Sequence, residues 1–369
     1  MMQTLGSISG KSDPLEVACR KMLQKVKRIA TREGKKTGFC IGNTVKKIER
    51  DYFFTPIRNT PACVCGSIIV DCISVAKRLV DLLDGKVDYF FVDTEKKISR
   101  EMYGDNDVGN VERALRECVK RTTILTYKGN DLTVDAIDCF LAQKVCLDYR
   151  GIGSRKVAII GMGNIGFKLA LKLVERGAHV HVVRRDINKL QIVVRALNDI
   201  KPVGTLASVV GQPDPVVAAC DADILIGLTP GTGDISPAVV DVVRDNAILV
   251  DVGKGSFSRE ALVRAWARGL TIYRGSIAES FAGQATMLLG MEENLFVSMG
   301  RGEIGGVPVV AGGLLARKGE VVVDSIRYPA QVYGLADGCG DFIMEPTSDE
   351  RMKLDVVLKV IADTQESVG

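Results

Sequence analysis

Histidine is almost missing from this chain. Only two are present, His179 and His181, and they alternate along one expected strand. Both therefore belong to the scaffold, and acid–base chemistry falls to Lys, Asp, Glu, Tyr or Cys. The ten cysteines include no C-x-x-C and no zinc spacing, Cys63-Val-Cys65 being the closest pair. No metal site is expected, and free thiols in a reducing cytoplasm account for them. No apolar run nears the roughly 18 residues of a membrane span, and no signal-peptide core opens the chain. A membrane is excluded as partner on that ground, and a cytoplasmic location is expected. A large excess of one charge is lacking too. A net +4 does not argue for nucleic acid, and the basic cluster from Lys21 to Lys36 reads as a solvated helix face.

What is present is a globular composition, 46% hydrophobic and 25% charged over 369 residues, enough for about two domains with their own cores. One stretch organises it: Lys156-Val-Ala-Ile-Ile-Gly-Met-Gly-Asn-Ile-Gly166. A β-branched run meets glycines spaced G-x-G-x-x-G, and an apolar-periodic segment from Phe167 to Val174 follows. Strand, tight turn and helix are the context in which this spacing binds a dinucleotide. Gly161 would permit the turn, and Gly163 would let backbone approach a pyrophosphate. Gly166 would let helix pack on strand, with Asn164 and Ile165 at the helix N-terminus that faces the phosphates.

Taken in order, residues 1–12 read as a loose leader. Asp13-Pro14 then opens a helix with Leu15, Met22 and Val26 on one face. Strands are expected at Thr37–Ile41 and Tyr52–Ile57, with Gly42 to Val45 either a turn or a short helix start. Gly66-Ser67 reads as the start of a long helix that Gly85 stops. Strand Val87–Val92, helix Asn110–Arg121, strand Thr122–Thr126 and helix Leu132–Leu147 follow. This alternation implies βαβ units and a mostly parallel sheet.

The fold class is α/β in three parts. An N-terminal α/β substrate domain spans 1–150, and a Rossmann parallel-sheet domain binding NAD(P) spans 151–290. The extension 291–369 carries a β-hairpin and a helix. Within the Rossmann part strands are expected at 157–160, 180–183, 223–228, 247–252 and 270–273. Helix Ser258–Arg268 lies among them, and helix Glu279–Leu289 returns toward the first domain. In the extension Arg317-Lys-Gly-Glu320 reads as the turn of a hairpin between Val307–Val310 and Val321–Ser325. That hairpin is either an arm on a dimer interface or a lid, and the interface reading implies a homodimer. Helix Asp349–Ala362 closes it.

The end of the second Rossmann strand selects the cofactor. An acid there bonds the NAD ribose, whereas arginine accepts the extra phosphate of NADP. Arg184 and Arg185 stand at that point, which favours NADP, while Asp186 leaves NAD possible. Two later strand ends, at Thr229-Pro230 and Gly253-Lys254, are rich in glycine and suit a nicotinamide-ribose and a substrate group. In the first domain Lys128 and Asp131 follow a strand and open a helix. They are candidates to polarise substrate and relay a proton, with Asp135 competing for the second role; Asp131 as a simple helix cap is the alternative. Ser67, at its expected helix start, is a candidate anion site for a substrate carboxylate.

These parts resemble two-domain Rossmann dehydrogenases. Val182-Val-Arg-Arg-Asp186 and Thr229-Pro-Gly231 are similar to the NADP motif and the strand-end loop of shikimate dehydrogenases. Methylene-tetrahydrofolate dehydrogenases share the domain order. Gly161-Met-Gly-Asn-Ile-Gly-Phe167 and Gly283-Gln-Ala-Thr-Met-Leu288 resemble pyrrolysine synthase over about residues 55–290. Leu132-Thr-Val-Asp-Ala-Ile137 more faintly resembles adenosylhomocysteine hydrolase and dipicolinate synthase. The resemblance implies hydride transfer with a nicotinamide cofactor on a small polar metabolite in a biosynthetic pathway. An amino-acid derivative or a hydroxy or keto acid is the expected class. A hydrolase or cyclase with tightly bound NAD, and a nucleotide sensor without turnover, are the alternatives.

Overall fold

In the computed structural model the described residues are 13–44, 48–98 and 109–366. The leader at 1–12 and Val45 lie outside them. Helix α1 (Pro14–Glu33) begins where the Asp13 carboxylate accepts from the Leu15 amide at 3.1 Å. Strands β1 (Lys36–Asn43), β2 (Tyr52–Asn59) and β3 (Cys63–Val70) follow, then α2 (Ile73–Leu83), β4 (Tyr89–Asp93), α3 (Val111–Cys118) and β5 (Thr123–Tyr127). The sheet order is β2-β3-β1-β4-β5. Its strands run parallel except the edge strand β2. Phe39, Ile41, Ile68 and Phe90 pack on α1, α2 and α3 in one core.

One expected helix start is overturned here. Gly66 and Ser67 do not open a helix; they lie inside β3, where Ser67 is opposite Cys40 of β1 and Thr55 of β2. The helix begins six residues later. A short apolar run such as Cys63–Val70 satisfies helix and strand periodicities alike. Its β-branched and thiol side chains fit a strand buried on both faces between two neighbours. Gly42, open to turn or helix on sequence grounds, continues strand β1.

A crossover helix, α4 (Gly129–Lys144), leads to β6 (Lys156–Ile160). Then come α5 (Asn164–Glu175), β7 (His179–Val183), α6 (Ile187–Ile200), β8 (Val209–Gly211), α7 (Pro215–Ala219) and β9 (Ile224–Gly227). Helix α8 (Pro237–Asp241), β10 (Ile248–Asp251), α9 (Arg259–Ala267), β11 (Ile272–Arg274) and α10 (Ala278–Glu293) complete the run. The order is β11-β10-β9-β6-β7-β8, all parallel. This is the doubly wound order 3-2-1-4-5-6, whose switch point lies between β6 and β9. The short strand β8 had no signal in the sequence.

Helix α4 shares the core of this second sheet: Val134, Ile137 and Leu141 pack with Val157, Leu169 and Leu173. Its acidic face meets α5 in a ladder of ion pairs. Asp131 binds Lys168, Asp135 lies 3.1 Å from Lys172, and Asp138 takes Arg176. Carboxylates spaced four and three apart on α4 face cations four apart on α5, as helical neighbours must. On α10, Phe281 sits edge-on to Phe91 and Tyr127, at centroid distances of 5.4 and 6.0 Å, under the Arg58 guanidinium. The last Rossmann helix thus returns to the first sheet, as expected.

The chain divides into two compact units, 1–284 and 285–369. In the second, a π-helical turn (Asn294–Ser298) leads to β12 (Gly300–Ile304), β13 (Val307–Ala311), β14 (Val321–Val323), β15 (Val332–Leu335) and α11 (Ser348–Glu366). Its core joins Val309, Val321 and Leu335 to Val357 and Ile361 of α11. The hairpin is β12–β13, turned by Gly305-Gly306 with φ of +58° and +77°, a glycine pair suited to a two-residue turn. Strands β13 and β14 instead run parallel. The turn expected at Arg317–Glu320 therefore does not join them as a hairpin, and β14 pairs antiparallel with β15.

Candidate dinucleotide site

The site begins at the carboxyl end of β6. Gly161 has φ +110°, and a Cβ there would lie 2.8 Å from the Leu228 carbonyl carbon. Only glycine allows that backbone and that approach of the loop after β9. A Cβ on Gly166 would lie 2.6 Å from the Gly161 carbonyl oxygen, so helix α5 can sit on its strand only with glycine there. Gly163 differs. Nothing lies within 4 Å of its added Cβ, so its glycine answers to no protein atom.

Helix α5 starts at Gly163 with no side-chain cap and no acid in its first turn. The helices starting at Pro14, Val111, Ile187 and Arg259 all have side-chain caps. An uncapped helix start presents amides and partial positive charge to an anion. Asn164 is tied across to α4, its Oδ1 accepting from Asn130 Nδ2 at 3.2 Å. The Ile165 side chain is half-buried and packs on the core.

A cavity of about 650 Å³ opens at this point, lined by Gly161, Gly163, Arg184, Arg185, Thr229 and Pro230 among others. These residues come from the ends of β6, β7 and β9. Arg184 donates to the Met162 carbonyl at 2.6 Å, and Arg185 pairs with Asp234 at 2.7 Å. Asp186 caps α6 by accepting from the Lys189 amide at 3.0 Å. That hydrogen bond holds its carboxyl below the usual range. Lys189 lines the same cavity.

Gly253 and Lys254 lie beside this wall. A Cβ on Gly253 would collide with the Thr229 carbonyl oxygen, so this glycine serves loop-on-loop packing. It is not among the residues lining the cavity. The loop after β10 is folded on the buried Asp251 carboxylate, which accepts from Gly255 and Ser256 amides at 2.8 and 3.2 Å. Ser256 Oγ donates to the Thr229 carbonyl at 2.9 Å. Held between these bonds, the exposed Lys254 has φ +58°, a conformation lysine adopts at a cost.

The residues expected to serve the substrate fare differently. Ser67 is buried within β3, so no helix N-terminus is there to bind a carboxylate. Lys128 is the N-cap residue of α4, largely exposed and 3.8 Å from Asp131. Asp131 and Asp135 each also pair with a lysine of α5, so their carboxylates hold two helices together. Their spacing along α4 suits proton relay in one dimension, whereas in three it faces Lys168 and Lys172.

A polar cluster with no sequence motif sits beside Lys128. The buried Asp93 carboxylate accepts from the amides of Glu95 and Gly129, both at 3.1 Å, and binds Lys97 at 2.9 Å. Glu95 accepts from the Asn130 amide at 2.9 Å and pairs with Lys97 at 2.8 Å. The first amides of α4 are thus filled by the chain's own acids. Burial lowers the Lys97 pKa, but the charges of Asp93 and Glu95 outweigh it and leave the ammonium above its ordinary value. The one available signal was Lys97 four residues after an acid at a strand end. Among the described residues no group of His, Cys, Asp and Glu could hold a metal ion. No described helix is long and apolar enough to cross a membrane.

Several solved structures are similar to this chain. Shikimate dehydrogenase in complex with NADP+ is 15% identical, covering 69% of this chain and 90% of that one, with a TM-score of 0.40. L-tryptophan dehydrogenase from Nostoc punctiforme is 16% identical over 71% and 75%, with 0.38. The 5-ketofructose reductase of a Gluconobacter species is 18% identical over 69% and 93%, with 0.37. No curated protein matches the chain by sequence. Residues 156–244 match the family described as NADP oxidoreductase, coenzyme F420-dependent. That segment runs from β6 through the glycine loop and Arg184-Arg185 to just past the end of α8. The likeness to that family thus lies within the Rossmann-type parallel sheet.

Proposed function

We propose that this protein is an NADP-dependent oxidoreductase that moves a hydride between the nicotinamide and a small polar metabolite. One observation carries the cofactor choice. The acid at the end of β7, Asp186, caps α6 through Oδ1, and Arg184, Arg185 and Lys189 line the cavity with it. A phosphate would find three cations there, whereas the acid open to a ribose hydroxyl is already engaged at one oxygen. The open side of Gly163 and the uncapped start of α5 fit the pyrophosphate. When bound, the dinucleotide supplies the hydride chemistry; the protein binds it, orients it and handles protons.

For the substrate, Lys128 and Lys254 are the proposed cations. Each follows the carboxyl end of a parallel strand, where open α/β sheets bind ligands. They would hold a carboxylate and polarise a carbonyl or imine, which suits an amino-acid derivative or a hydroxy or keto acid. The carboxylates of Asp131 and Asp135 have a structural part, positioning α4 on α5.

Calorimetric titration of the full chain with NADP+ and NAD+ tests the cofactor. NADP+ is expected to bind at least about tenfold tighter, a difference of roughly 1.4 kcal/mol. Equal affinity, or preference for NAD+, would remove the NADP assignment. Reduction of NADP+ by a panel of amino and hydroxy acids tests the reaction. Turnover with no net change in the cofactor would assign a hydrolase or cyclase instead.

A further inference from the structure

Resting on that reading, we propose that Asp234 is a stand-in for the cofactor's 2′-phosphate, holding Arg185 until NADP displaces it. The residue lies on the loop after β9, 49 positions beyond Arg185. It lines the same cavity as Arg184, Arg185 and Lys189. Its Oδ1 takes Arg185 Nη2 at 2.7 Å, and its Oδ2 accepts from the Thr232 hydroxyl. An acid is therefore placed against Arg185 in the corner of the crevice where Arg184 and Lys189 also lie, with Asp186 beside them.

The competition has a sign. Asp234 uses one nitrogen of a guanidinium that can offer two in parallel, and it brings a single charge. A phosphate monoester brings about −1.5 to −2 near neutral pH and suits a fork geometry. Arg185 is 84% exposed in its side chain, so orienting it through one exposed ion pair adds little to the affinity. Repulsion between the carboxylate and the incoming dianion opposes binding throughout. Asp234 thus weakens NADP binding more than it prepares it, and it does not touch an NAD that lacks the phosphate.

The loop is built to respond. Its ends are pinned, by Leu228 N to the Ile160 carbonyl at 2.8 Å and by Ile235 N to the Ser256 carbonyl at 2.9 Å. Between them Gly231 and Gly233 hold φ of +74° and +66°, and Thr229-Pro230 forms cavity wall. Exchange of the Arg185 partner would therefore be felt along the loop that forms this cavity wall.

The test uses Asp234→Asn and, should that variant fold poorly, Asp234→Ser in the full chain. Either is expected to bind NADP+ about 3- to 10-fold tighter and to bind NAD+ within about 2-fold of the parent, the range expected for an exposed ion pair plus charge repulsion. Adenosine 2′,5′-bisphosphate should speed amide exchange at residues 231–234 in the parent, and adenosine 5′-phosphate should not. Unchanged or weaker NADP+ binding by both variants would overturn the proposal and leave the NADP reading standing. Absence of binding by either dinucleotide to the parent would remove both.

Discussion

Arg176 clasps Asp138 through two hydrogen bonds of 2.6 and 2.8 Å. It thereby locks the crossover helix α4 onto the helix that follows the glycine loop. This is the most buried rung of the ladder that also holds Asp131 and Asp135. The Asp138 side chain is 10% exposed against 39% and 52% for the other two.

Burial decides which rung matters for stability. Asp138→Ala is expected to cost about 1–3 kcal/mol, because it leaves a bidentate guanidinium without its acceptor. Asp131→Asn and Asp135→Asn should each cost under about 1 kcal/mol, as exposed pairs do. Thermal melts rank the three. If Asp135→Asn abolished turnover while its melting temperature stayed put, the carboxylate would have a chemical role that its pairing with Lys172 does not provide.

The three motif glycines should separate by what a methyl meets. Gly163→Ala adds its Cβ to open space at φ −102°, so stability should hold while NADP+ binding falls at least tenfold. Gly161→Ala places a Cβ against the Leu228–Thr229 peptide at φ +110°, which should cost about 1–3 kcal/mol or more. Melts with and without saturating NADP+ distinguish them. Wild-type protein should gain about 2.7 kcal/mol at a hundredfold excess over Kd, and Gly163→Ala far less. A Gly163→Ala protein stabilised as much as the parent would disprove the pyrophosphate placement.

Lys254 invites a trade-off. Glycine would relieve its left-handed backbone, so Lys254→Gly should keep stability or raise it by up to about 1 kcal/mol. Turnover should fall at least tenfold if the ammonium holds the substrate. Full activity in a protein no less stable than the parent would show that the strained lysine has no part in substrate binding.

Acid should act through Glu33 at the end of α1. Hydrogen bonds from Arg32, Lys35 and Asn59 bring its carboxyl down to about 2, from 4.5. A carboxylate whose folded pKa is lowered contributes fully above its unfolded value and loses that contribution as pH falls toward its folded one. Stability of Glu33→Gln, followed by denaturant melts, should run parallel to the parent above about pH 5. Between there and about pH 2 the parent should lose more. Parallel curves throughout would mean that the exposed cluster contributes nothing.

Much of the site was legible because its signals are local. The glycine spacing, the β-branched strand before it and the apolar helix after it lie within about twenty residues. Each follows from backbone geometry that neighbouring residues settle among themselves. The helix starts at Asp13, Asn110 and Ser258 were readable for the same reason. Arg184 and Arg185 were readable because a strand end places its next residues at the crevice. The segment Cys63–Val70 was not readable as a strand. Its apolar run satisfies both periodicities, and only the two strands beside it choose.

The sequence by itself determined the doubly wound α/β class, the dinucleotide loop and the cationic corner beside it. All three follow from periodicity and turn chemistry over short spans. Tertiary structure alone decided that Asp131 and Asp135 face a helix and that β13 and β14 run parallel. It alone brought Asp234 to Arg185. Those outcomes depend on which surfaces meet, and partners separated by tens of residues meet only after the sheet has set the crossings.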